Sequence, residues 1–348
     1  MKGSYPSLRA KKFTAVYLLV VFLFAGRISG SFVHGAVFSQ KGGAERENLS
    51  PQAMLASPGS AYLPYVSKEI SYYSTLRFAV IGDYGSGSIE EADVAAMVNS
   101  WNPDFILTTG DNNYPEGSAG TIDKNIGQFF HEYIYPYLGG YGEGGLENRF
   151  FPSLGNHDWP TTGPIPYQDY FTLPGNERYY EFRKGPLHFF VLNSVLEEPD
   201  GADIDSIQAD WLKSRITESE SVWKIVYMHH PPFSSGLHGS TPRMQWPFAD
   251  WGVDAVLSGH DHTYERISRE GIFYFVNGLG GRSRYEFGEI VEGSQLRYNE
   301  NFGAMLVSAS RFQIRFEFIN REGNLIDSLE LVKPVLYEYV PNQSATPN

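Results

Sequence analysis

Apolar positions along the chain fall into short uninterrupted runs and longer stretches of helical spacing, and the two alternate from Leu76 onward. Arg77 to Ile81 and Asp104 to Leu107 read as strands. Ser88 to Trp101 between them reads as a helix with Ala92, Val94, Ala95, Met97 and Val98 on its apolar side. Thr121 to Ile134 has helical spacing again, through Ile126, Phe129, Phe130 and Ile134. The second half is richer in strands, over Phe150 to Leu154, Tyr179 to Phe182, Leu187 to Leu192, Trp223 to Met228, Ala255 to Leu257 and Ile272 to Val276. Helices over Ser206 to Thr217 and Pro242 to Trp251 interrupt them. Met305 to Val307, Phe312 to Ile319 and Leu325 to Leu331 are short strands, the last two divided by the hairpin signal Asn320-Arg321-Glu322-Gly323. Helix alternating with strand and then giving way to hairpins predicts an α/β (α+β) fold of two facing sheets with helices outside.

The pattern is lost on either side of this region. Residues 32–75 carry Gly, Ser, Pro and Gln without periodicity and read as a linker followed by an extended strap. Before them, Lys2, Arg9, Lys11 and Lys12 precede the apolar run Phe13 to Ala25. That is the layout of a secretory signal, and the run falls short of the about 20 apolar residues that span a bilayer. Residues 1–31 are therefore expected to be a cleaved signal, with an uncleaved amino-terminal membrane anchor as the alternative, and the protein to be secreted or otherwise extracytoplasmic. The folded domain is expected over 76–333, with a tail over 334–348. Gly139-Gly140-Tyr141-Gly142-Glu143-Gly144-Gly145 reads as a surface loop, with a lid beside a substrate as the alternative.

Composition narrows the chemistry. With 42% apolar and 15% aromatic residues among 348, the chain can bury a sizeable core. A net charge of −13 argues against a broad nucleic-acid-binding surface, and it means that an anionic substrate needs a local positive source. The absence of cysteine excludes disulfides, a cysteine nucleophile, zinc-thiolate sites and a lipidated cysteine.

Five short motifs each close a predicted strand. Gly110-Asp111-Asn112-Asn113-Tyr114 follows Phe105-Ile106-Leu107, and its glycine lets the backbone turn so that Asp111 and Tyr114 project from the strand end. The others are Gly82-Asp83-Tyr84-Gly85, Gly155-Asn156-His157-Asp158, His229-His230-Pro231 and Gly259-His260-Asp261-His262. Hard oxygen and imidazole donors without a thiolate suit two closely spaced metal ions, and bound ions would be the positive source that the acidic chain lacks.

These motifs, in this order, resemble the calcineurin-like metallophosphoesterase superfamily over roughly Arg77 to Leu331. Within it the chain resembles the purple acid phosphatases. The common first motif, Asp-x-His, is here Asp83-Tyr84-Gly85, and Asp111 is followed three residues later by Tyr114, so one imidazole is lost and a phenol gained. The resemblance implies two facing mixed β-sheets flanked by helices, a four-layer αββα sandwich. It implies one metal on Asp83, Tyr114 and His262, a second on Asn156, His229 and His260, and Asp111 bridging them. A phenol ionises near about 10 and needs a strong Lewis acid, which fits Fe(III) at the first site, while Fe(II), Zn or Mn suits the second. The implied activity is hydrolysis of phosphate monoesters, on a phosphorylated small molecule or protein. His157 would be the general acid, oriented by Asp158, and His238 would face the substrate from Pro232 to Thr241.

Taken singly, several of these residues have plainer readings. Asp83 or Asp111 alone suits a turn or helix cap, and His260 with His262 suits the wall of a polar cleft. His131, His188 and His230 read as structural, and Arg282 and Arg284 as a solvated turn. Two rival functions remain: a phosphodiesterase of the same fold, separable by a panel of monoesters and diesters, and a non-catalytic metal-dependent binding protein at the cell surface. The second would keep its partner after losing its metal.

Overall fold

Short, fully buried parallel strands form the middle of each sheet in the computed structural model, which describes residues 75–160 and 162–334. The expected signal or anchor, the strap up to residue 74 and the tail from residue 335 lie outside the described residues. Among those described, no helix is long and apolar enough to cross a membrane.

The first sheet has six strands. At its centre β1 (Leu76–Ile81) pairs in parallel with β2 (Phe105–Thr108), and β2 with β3 (Phe150–Pro152). Antiparallel β11 (Gly303–Ala309), β12 (Gln313–Asn320) and β13 (Leu325–Val332) extend it beyond β1. The second sheet has seven strands. Its parallel centre is β5 (Leu187–Val191), β6 (Trp223–Tyr227), β7 (Ala255–Ser258) and β9 (Ile272–Asn277). β4 (Tyr180–Lys184) lies on one edge, and β8 (Tyr264–Arg269) and β10 (Ser294–Tyr298) on the other.

Aromatic side chains hold the sheets face to face. Phe78 meets Phe189 edge-on at 5.3 Å, Phe275 stacks on Phe316 at 4.9 Å and Tyr264 on Phe318 at 4.0 Å, each pair taking one ring from each sheet. Each such ring contributes about 1.5–3 kcal/mol by leaving water. In the second sheet, alternate residues serve opposite faces. Phe189, Ile225 and Leu257 enter the inter-sheet core, while Phe190, Val226 and Val256 join Ala209, Leu212 and Ile216 of a helix over Ile207–Thr217. Burial on both faces explains why these strands read as continuous apolar runs. The result matches the expected pair of mixed sheets flanked by helices.

Two expected helices are broken. Thr121 to Ile134 divides into a π turn at Asp123–Gly127, one α turn at Gln128–Phe130 and a 3-10 turn at His131–Tyr133. Polar tertiary bonds outweigh the helical spacing there. The Asp123 carboxylate accepts the Tyr137 and Tyr170 hydroxyls and the Gly140 N–H, which also pins the glycine-rich loop. Asn125 donates to the Gly85 and Tyr114 carbonyls. Pro242 to Trp251 divides into Pro242–Met244 and Phe248–Trp251 because Pro247, in its interior, has no N–H to continue a helix. A short helix at Ile165–Tyr170 and the charged edge strands β8 and β10 carried no apolar pattern to announce them.

Candidate metal centre

Asp83, Asp111, Asn156, His229 and His260 all lie just beyond the carboxyl ends of parallel strands, three from the first sheet and two from the second. Open α/β sheets place their ligands at this end. Asp83, Asp111 and His260 have φ of 54°, 53° and 69°, the left-handed region, so the chain reverses sharply as it presents them. The glycines of the motifs make room for the donors. A Cβ on Gly155 would collide with the Asp111 carboxylate, and one on Gly259 with that of Asp83.

The donors form two groups that share one carboxylate. In the first, the Tyr114 hydroxyl lies 3.4 Å from Asp83 Oδ1, 3.2 Å from His262 Nε2 and 2.9 Å from Asp111 Oδ2, while His262 Nε2 is 3.3 Å from Asp83 Oδ1. In the second, His229 Nε2 lies 3.1 Å from Asn156 Oδ1, 3.2 Å from His260 Nδ1 and 3.4 Å from Asp111 Oδ1. The two oxygens of Asp111 thus face different groups. Donor atoms of Asp83, Asp111 and His229 all fall within 4.8 Å of one another, in a buried setting.

Hydrogen bonds outside each group aim the donors inward. His229 donates its Nδ1–H to the Thr109 carbonyl at 2.8 Å, so in its neutral form the unprotonated Nε2 faces the oxygens of Asn156 and Asp111. Lone pairs that converge in this way fit a cation. Without one, the groups must retain protons. Burial would lower His229, but the Asp111 carboxylate overrides it and lifts the imidazole to about 9. Burial and the carboxylates of Asp83 and Asp111 push the Tyr114 phenol far above its ordinary range, so it is neutral until a cation stands beside it. Against burial, His229 and His157 hold Asp111 well below the ordinary carboxylate range.

Around the donors lies a rim of rings. The His157 ring packs 4.5 Å from that of Tyr114, its backbone N–H donates to Asp111 Oδ1, and its Nδ1 is 2.6 Å from the Pro115 carbonyl. His238 stacks on His260 at 4.4 Å. His230 is held by Ser194, through its ring Nδ1 at 2.9 Å and its backbone N–H at 2.8 Å. His188 and His131 take up bonds elsewhere, with Ser219 and the Gly127 carbonyl.

Asp158 does not orient His157. Its buried carboxylate accepts the backbone N–H of Asn112 and Gly155 and the Asn112 side-chain amide, at 2.8–3.0 Å. Asn156–Asp158 is a 3-10 turn, where successive side chains diverge by about 120°, so neighbours in sequence point into different surroundings. The carbonyl of Pro115 takes the orienting place instead.

Several supporting residues were not singled out from sequence. Asp261, between the two histidines of its motif, accepts the Ser234 hydroxyl at 2.5 Å and the His238 backbone N–H at 2.7 Å. Ser283 lies 2.6 Å from His262 Nδ1, and Tyr285 stacks on that ring at 4.1 Å. Both come from the stretch around Gly280 to Arg284, read from sequence as a solvated turn. Arg282 and Arg284 are exposed, but the Arg282 guanidinium lies 5.0 Å over the Tyr114 ring.

Two sheets meeting at a cluster of carboxylates, imidazoles and a phenol define a metallophosphoesterase-type architecture, and comparison with known proteins agrees. A family model described as calcineurin-like phosphoesterase matches residues 76–264. The chain belongs to that family, and thereby to the phosphate-ester hydrolases. It is 26% identical over 300 residues to purple acid phosphatase 3 of Arabidopsis thaliana, spanning 72% of this chain and 76% of that one. It is 26% identical over 258 residues to tartrate-resistant acid phosphatase type 5 of Rattus norvegicus, spanning 63% and 76%. Among solved structures, the purple acid phosphatase of yellow lupin (Lupinus luteus) seeds shares the fold with a TM-score of 0.61 and 19% identity. That match covers 75% of this chain and 54% of the lupin protein, so the chain spans about half its length.

Proposed function

We propose that the protein hydrolyses phosphate monoesters at a dinuclear metal centre of purple-acid-phosphatase type. The observation that carries this reading is the division of the Asp111 carboxylate, one oxygen toward Tyr114 and the other toward His229. Asp83, Tyr114 and His262 would hold Fe(III), and Asn156, His229 and His260 would hold Fe(II), Zn or Mn, with Asp111 bridging. Bound ions would supply Lewis acidity toward phosphoryl oxygens and a low-pKa water as nucleophile.

The remaining steps fall to the chain's own groups. Asp83 and Asp111, both buried, keep the donors anionic at acid pH. His157, with Nδ1 at the Pro115 carbonyl, has Nε2 free to give a proton to the departing oxygen. His238, exposed and stacked on His260, faces the substrate side of the centre. The phosphorylated substrate is a small molecule or a protein side chain.

Metal analysis with a visible spectrum tests this. About two metals per chain, at least one of them iron, and a phenolate-to-iron absorption band are expected. Tyr114→Phe should abolish the band while the fold survives. A wild-type protein active with zinc or manganese alone, and colourless, would contradict the assignment of iron to Tyr114.

A further inference from the structure

The segment from Gly280 to Tyr285 is tied into the centre almost residue by residue. Gly280 donates its N–H to the Gly82 carbonyl at 2.9 Å, and the Gly281 carbonyl accepts the Ser88 hydroxyl at 2.9 Å. Arg282 N–H donates to the Asp83 carbonyl at 3.1 Å, Ser283 holds His262, and Tyr285 N–H donates to the His262 carbonyl at 3.0 Å. A side chain on such a segment has a fixed origin. Arg284 is committed to structure, since its Nη1 donates to the Asn299 and Glu300 carbonyls.

Arg282 is not committed in that way. Among the described residues its guanidinium has no carboxylate or carbonyl partner; its contact is with the face of the Tyr114 ring, 5.0 Å from the centroid. In a chain with 40 acidic and 27 basic residues, an exposed arginine left without an acid beside the donor groups is available for an anion from outside. The guanidinium covers the ring and not the phenolic oxygen, so it is offset from whatever the donors hold. His157 packs on the same ring at 4.5 Å, which puts the arginine and the proposed leaving-group acid on one support.

We infer that Arg282 is a specificity-determining residue that reads a second phosphate, attached to the scissile one on its leaving-group side. This rests on the hydrolase reading above and deepens it by naming phosphoanhydrides as a favoured substrate class. A guanidinium fork matches phosphate oxygens bidentately, which an ammonium does not. In the hydrolysis, water oxygen bonds to the terminal phosphorus and one water proton passes to solvent. The bond from phosphorus to the bridging oxygen breaks, and that oxygen leaves with the electron pair on a phosphate facing Arg282.

The test uses the metal-loaded full chain, with R282Q and R282K. Calorimetry would measure binding of inorganic phosphate and pyrophosphate, and kinetics would give kcat/KM for AMP and ADP, which share a nucleoside and differ in the charge of the leaving group. R282Q should weaken pyrophosphate about tenfold to hundredfold and phosphate by less than about threefold, and lower the ADP-to-AMP ratio of kcat/KM by a similar factor. R282K should fall between, with metal content and visible band retained in both. Equal weakening of phosphate and pyrophosphate, or none, overturns the inference. Arg282-dependent binding of pyrophosphate by a wild type that turns over neither nucleotide would sustain it while sinking the hydrolase reading. Normal turnover with equal losses on ADP and AMP would do the reverse.

Discussion

His157 Nδ1 lies 2.6 Å from the carbonyl oxygen of Pro115, the residue that follows Tyr114, and its ring packs against the Tyr114 ring. A carbonyl can only accept, so Nδ1 carries a proton, and the proton that can be transferred sits on Nε2. An alkoxide leaving group needs that proton and an acidic nitrophenolate does not. His157→Ala should therefore slow alkyl phosphates about 10²–10⁴-fold and p-nitrophenyl phosphate much less, at full metal content. Comparable losses in kcat/KM on both esters would assign His157 to binding instead.

Asp158→Asn should behave differently. Burial and the Asp111 charge push the Asp158 carboxyl up to about 7, against the N–H groups of Asn112 and Gly155 that it accepts. An amide there leaves one of those donors facing another, at a cost of about 1–3 kcal/mol. The damage falls on the loop carrying Asn156, so alkyl and nitrophenyl esters should lose activity in equal measure and metal content should drop. A bias against alkyl esters alone would restore Asp158 to a direct partnership with His157.

Asp261 positions His238 through its backbone N–H. Asp261→Asn keeps only one acceptor oxygen for the two donors, Ser234 and His238, and should raise KM about tenfold with a smaller change in kcat. The cycle with His238→Ala discriminates. If Asp261 acts through His238, the double mutant should be no worse than His238→Ala alone. Full additivity would place its effect on the neighbouring ligands or on the fold.

Metal uptake should be linked to protons. In the metal-free protein His229 is lifted to about 9, above its ordinary value of about 6.5. Its ion pair with Asp111 thus stabilises that form below pH about 6.5, and the contribution is lost as pH rises through about 9. Metal binding must displace this proton and that of Tyr114, so near pH 7 about two protons should be released per chain, and about one fewer above pH 9. Calorimetry in buffers of different ionisation enthalpy reads the number. Release that stays constant from pH 7 to 10 would remove His229 from the account.

Much of this arrangement was legible before any coordinates. Apolar runs marked the strands because both faces are buried, and each motif stood where a run ended. Ser88 and Ser206 could be seen as helix starts, and both hydroxyls accept from the N–H three residues on. What escaped was set by tertiary contact. The π turn at Asp123 depends on hydroxyls from Tyr137 and Tyr170, which spacing along Thr121 to Ile134 does not reveal. Pro247 was visible, yet the apolar spacing around it outweighed its missing N–H in the reading. Asp158 was paired with its sequence neighbour because adjacency along a chain resembles contact, and in a 3-10 turn it is not. Ser283 had no signal, since a serine among glycines looks like any turn until the ring it supports is known.

Each donor group draws members from both sheets. Asp83 and Tyr114 follow strands of the first and His262 follows a strand of the second; Asn156 comes from the first, and His229 and His260 from the second. An ion held there is a rivet through two plates that are otherwise joined by side-chain packing. Withdrawing it leaves like charges and opposed lone pairs at the open end of the seam, so that end should breathe first, admitting water and proteases while the far end stays closed. The chain's lifetime then follows its metal supply, and a cell short of metal would lose the protein as well as its activity.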